Sequence, residues 1–121
     1  MNRVVHFEIG VEEPSRAKKF YERVFGWKFE KWSGPMEYWM IDTGKDKDGI
    51  NGGMMKRKSP EDKVVNTVDV DSVDDFVKKI EKAGGKILVG KTTVPGVGYM
   101  AYCADTEGNP FGVMENDKSA K

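Results

Sequence analysis

A chain of 121 residues is long enough for one compact domain with a real core and short enough for its halves to be two copies of one unit. Its 20 basic and 20 acidic residues cancel, which removes the one-signed field that draws proteins to nucleic acid or to an anionic membrane. The single cysteine, Cys103, allows neither an internal disulfide nor a zinc knuckle and points to a reducing cytosol.

The amino end has no basic segment followed by an apolar run, and no stretch nears the roughly twenty apolar residues of a membrane span. The expectation is a soluble cytoplasmic protein, with residues 1–121 as a single domain.

The chain opens on Val4-Val5-His6-Phe7-Glu8-Ile9, which holds the only histidine. On an extended strand His6 and Glu8 share one face and Val5, Phe7 and Ile9 the other. A neutral imidazole is a general base or a metal ligand, and a carboxylate beside it can orient it. The competing reading is a solvated sheet face. Glu12-Glu13-Pro14-Ser15 then suits a helix start, with Ala17, Phe20, Tyr21 and Val24 at helical spacing and Gly26 as the stop. Residues 27–32, 37–42 and 53–58 read as strands, the last after a charged, glycine-rich loop over 43–52.

From Val64 the same order returns. Residues 64–70 alternate as a strand, with Val64, Val68 and Val70 on one side. Asp71-Ser72 offers a cap, and Val73, Phe76, Val77 and Ile80 repeat the helical spacing before Gly84-Gly85. Strands follow over 86–94, 99–105 and 110–115, with Thr106-Glu107-Gly108-Asn109 as a turn. The tail 116–121 is polar and expected to fray.

Two units of like order about sixty residues apart indicate an internal duplication, placed at 3–58 and 63–117. Each helix must bury its apolar stripe on a sheet, which leaves the other sheet face free. Curved toward each other, the free faces would enclose a cup lined by His6, Glu8, Val65 and Thr67. A ferredoxin-like two-layer fold with an exposed sheet face is the alternative.

His6-Phe7-Glu8-Ile9, Glu13-Pro14-Ser15-Arg16-Ala17, Phe20-Tyr21, Val24-Phe25-Gly26-Trp27 and Asp105-Thr106-Glu107-Gly108-Asn109-Pro110-Phe111-Gly112 together resemble the vicinal oxygen chelate superfamily, the group of glyoxalase I, bleomycin-resistance proteins and extradiol dioxygenases. The resemblance spans essentially the whole chain. It implies an α+β fold of two βαβββ modules forming an open, curved eight-stranded, barrel-like cup with the helices outside. In metal-dependent members the first ligand lies on the opening strand, a position His6 matches. The other slots fall at about Val65, at Gly112 and around Gly53, none of which offers a good ligand. A catalytic metal site normally takes three protein ligands, so no cofactor is expected, with a divalent metal at His6 as the alternative.

The expected catalytic pair is therefore His6 and Glu8. Tyr38, Met40, Met54, Thr67, Tyr99 and Tyr102 are candidate ligand contacts, since aromatic and thioether groups commonly line small-molecule sites. Packing is the competing role for each. Cys103 has no second histidine to activate it and is read as structural.

Three functions follow: a metal-independent small-molecule-binding protein with lyase or isomerase chemistry, a non-catalytic drug- or metabolite-sequestering protein, and a metal-dependent glyoxalase-type lyase. The expected partners are a small molecule and a second copy of the chain, with neither nucleic acid nor membrane.

Overall fold

A computed structural model describes all residues, Met1–Lys121. Eight strands and two helices follow in the order β1 (Val4–Val11), α1 (Pro14–Phe25), β2 (Lys28–Lys31), β3 (Trp39–Asp42), β4 (Asn51–Lys56), β5 (Val64–Asp69), α2 (Val73–Lys82), β6 (Lys86–Val94), β7 (Gly98–Ala104) and β8 (Pro110–Asn116). The fold is α+β and built of two βαβββ modules. The chain divides into two compact units, one of residues 6–65 and one of residues 66–121 joined by residues 1–5. No helix is long and apolar enough to cross a membrane.

In the first unit the strands lie in the order β2-β3-β4-β1, with β1 parallel to β4 and the other pairs antiparallel. Register fixes two faces. Glu8, Gly53 and Met40 form one cross-strand row, and Ile9, Met54 and Trp39 the next, so these rows point to opposite sides. Helix α1 starts on Pro14, which needs no amide partner there, and ends at Gly26, whose φ of 72° is the left-handed cap glycine favours. It is anchored by Tyr21, stacked on Trp27 at 5.0 Å, with Trp27 in turn 5.9 Å from Phe7.

The expected helix stripe is only half right. Tyr21 faces the sheet, whereas Phe20 and Val24 remain 56% and 55% exposed. The sheet beneath α1 has little to offer them, because only Ile41 and Met54 among its apolar side chains are fully buried and β2 is four residues long.

The second unit repeats the order as β5-β8-β7-β6, with β5 parallel to β8. Here the helix is seated. Val70, Val73, Ala101, Cys103 and Val113 form a buried core on which Phe76, Val77 and Ile80 of α2 pack. Fully burying a valine such as Val73 is worth about 1.5–3 kcal/mol. Ser72 caps α2 by accepting from the Asp75 amide at 3.2 Å, and Glu115 accepts from the Val73 amide at 3.0 Å, so two amides left open at the helix start find partners.

The Asp105–Asn109 turn is built by the Asp105 carboxylate, which accepts from the Glu107 and Asn109 amides at 2.8 and 2.9 Å. Those bonds hold the Asp105 carboxyl below the usual carboxylate range. Gly108 supplies the positive φ, 84°. The tail does not fray as expected. Ala120 is buried and its carbonyl accepts from the Gly96 amide at 2.9 Å, while the Asp117 amide donates to Val97 at 2.8 Å.

Candidate functional site

Strand alternation places His6 and Glu8 on the same face of β1, opposite the α1 side. Their nearest charged atoms, Nε2 and Oε2, are 4.0 Å apart, beyond direct hydrogen bonding. Tyr38 fills the interval. Its hydroxyl lies 2.8 Å from His6 Nε2 and donates to Glu8 Oε2 at 3.0 Å.

Tyr38 stands just before β3, which begins two residues later than expected, at Trp39. Its position is set locally. The Trp32 amide donates to the Tyr38 carbonyl at 2.8 Å, and the two rings meet edge to face at 6.3 Å. The hydroxyl reaches across the sheet because Gly53 lies beneath it; a Cβ at position 53 would collide with the Tyr38 ring and hydroxyl.

The bridge assigns the protons. Glu8 is 8% exposed, and as a carboxylate it only accepts, so the phenolic proton points to it. His6 Nε2 then carries hydrogen and donates to the Tyr38 oxygen. Nδ1 is left with its lone pair and no hydrogen-bond partner in the protein. Burial pushes the His6 pKa below its ordinary value, and the charge of Glu8 opposes part of that shift. A neutral, half-buried imidazole with a free Nδ1 is equipped to accept a proton.

The other candidates are divided by register. Met40 lies in the row of Glu8 and Gly53 and is half exposed, at the rim of the space around Tyr38. Met54 is fully buried in the opposite row, so its place is in the packing on the α1 side. In the second unit Thr67, Gly112 and Tyr102 share a row. Thr67 is 4% exposed and its Oγ1 has no hydrogen-bond partner. Tyr99 instead packs toward the α2 core, with the Lys91 ammonium 4.5 Å from its ring centroid. Cys103 is buried in that core, which pushes its thiol pKa up, as suits a structural residue.

Two surface recesses, of about 430 and 500 Å3, lie along α1 and are lined by residues such as Arg16, Phe20 and Val64. Neither includes His6, Glu8 or Tyr38.

Comparison with known proteins accounts for this architecture. The profile of the glyoxalase/bleomycin resistance protein/dioxygenase superfamily matches residues 3–113. The chain belongs to that superfamily. Among solved structures, this superfamily member is similar to methylmalonyl-CoA epimerase from Mycobacterium tuberculosis, with TM-score 0.72 at 10% identity over 94% of this chain and 87% of that one. A hypothetical protein from Bacillus halodurans C-125 gives 0.72 at 15% identity over 99% and 98%. A methylmalonyl-CoA epimerase in complex with methylmalonyl-CoA and NH4+ gives 0.70 at 12% identity over 100% and 99%. At such identities the likeness is one of fold. No curated protein sequence matches the chain.

The superfamily's metal site can be tested against the donors present. Nowhere do three His, Cys, Asp or Glu side chains come together to hold an ion. His6 and Glu8 are two, and the expected slot on the last strand of their own unit carries Gly53, which has no side chain. Two such donors fall short of the three protein ligands that a catalytic zinc normally takes.

Proposed function

We propose that this protein binds a small carbon acid against the His6–Tyr38–Glu8 face of β1 and β4 and moves a proton with His6, without a metal. The observation that carries this reading is the Tyr38 bridge, which leaves Nδ1 of a neutral imidazole free. Nδ1 would take a proton from a carbon next to a carbonyl, and the electron pair left on carbon would delocalise into that carbonyl. The imidazolium so formed is stabilised through Nε2–H, the Tyr38 hydroxyl and the Glu8 carboxylate, a chain of charge-assisted hydrogen bonds. Returning the proton to carbon completes an isomerisation.

The epimerases among the structural neighbours make acyl-CoA thioesters with an acidic α-hydrogen the first compounds to try. Solvent deuterium incorporation into a panel of such thioesters and of α-hydroxy ketones, followed by NMR, tests the reading. His6→Gln should abolish incorporation, a loss of at least about 100-fold, while ligand binding by calorimetry is retained. Unchanged incorporation in His6→Gln would refute the acid–base role. Binding with no His6-dependent exchange on any compound would favour sequestration, for which half-exposed Met40 at the rim offers an adaptable contact.

The same reading includes a cytosolic location, which suits a chain with one cysteine, and pairing of two copies through α1.

A further inference from the structure

We propose that Tyr38, seated in the gap left by Gly53, joins His6 to Glu8 in place of a metal ion, and that residue 53 decides between the two arrangements. This deepens the reading of His6 and Glu8 as the site and rests on it.

Three observations converge. The Tyr38 hydroxyl stands 2.8 Å from His6 Nε2 and 3.0 Å from Glu8 Oε2, so it takes up the point shared by the two donors. Their separation of 4.0 Å leaves room for that oxygen between them. Gly53 pairs in register with Glu8, so any side chain at position 53 would rise on the same face and strike the Tyr38 ring. A third ligand at 53 and the Tyr38 bridge therefore exclude each other sterically. With glycine there, the site holds a hydrogen-bonded phenol. With glutamate there and the phenol gone, it would present a histidine and two carboxylates, a set of the kind that binds zinc.

Zinc titration calorimetry on the full chain tests this, with folding checked by circular dichroism. The wild type and Tyr38→Ala should show no His6-dependent zinc binding. Tyr38→Ala combined with Gly53→Glu should gain it and lose it again on addition of His6→Ala. Zinc binding by the wild type that His6→Ala abolishes overturns the proposal, as does a folded double variant that gains none. If the double variant does not fold, the 15N spectrum of the single imidazole decides. Tyr38→Phe must then move the His6 ring nitrogens, and unchanged shifts overturn the bridge. The deuterium-exchange experiment stands apart, so its failure counts against the proton-transfer reading, whereas failure of zinc gain with exchange intact counts against the bridge alone.

Discussion

His6 links the chemistry of the site to stability. Its folded-state pKa lies below the ordinary value of 6.5 because burial disfavours the imidazolium. Between the folded and unfolded values the unfolded chain binds more protons, so the contribution of His6 to stability is present above about pH 6.5 and is lost as pH falls through the folded value. Urea unfolding at pH 7.5 and pH 5.5 should therefore show a larger acid loss for the wild type than for His6→Gln, which carries no titrating ring. Equal losses would mean that His6 is not desolvated. The pairing of His6 with Glu8 was legible in the sequence, because alternation along one strand needs only the strand. The Tyr38 bridge was not. It depends on where β3 and β4 pair after the 43–50 loop, and on a glycine whose importance lies in what it lacks.

At the level of elements, the sequence placed both helices and all eight strands, because the punctuation by Pro14, Gly26, Ser72 and Gly84-Gly85 acts locally. It could not divide the methionines. Met40 and Met54 sit on different strands, and their faces follow from register rather than from composition. The structure sets them apart in energy. Met54→Ala empties a fully buried site and should cost about 2–5 kcal/mol, whereas Met40→Ala, at a half-exposed rim, should stay within about 0.5 kcal/mol. Chemical denaturation of the two variants checks this, and similar losses would contradict the assigned faces. The tail escaped prediction for a related reason: Ala120 is held by a backbone bond to the Gly96 amide, and such a bond leaves no mark on a polar sequence.

Across the whole chain the two modules share strand order but differ in how they treat their helices. Helix α2 is sealed by a five-residue core, whereas α1 has no buried residue and leaves Phe20 and Val24 more than half exposed. The stripe that sequence periodicity assigned to the sheet is thus partly left exposed. The proposed pairing of two copies through α1 makes a prediction about the charges around it. Glu12 and Glu13 precede the helix, and Arg16, Lys19 and Arg23 run along it, so an antiparallel copy would set the acidic end of one helix beside Arg23 of the other, with Phe20 and Val24 between them. Covering an aromatic or a valine side chain fully is worth about 1.5–3 kcal/mol, and a glutamate at position 20 would place a charge where that apolar contact belongs. Sedimentation velocity should find the wild type as a dimer and Phe20→Glu as a folded monomer, because the position contributes nothing to the buried core. A monomeric wild type, or a Phe20→Glu variant that stays dimeric, would remove α1 as the contact. Reversing Arg23 to Glu should weaken the dimer in the same assay, and combining it with Glu13→Arg should restore it if the helices run antiparallel.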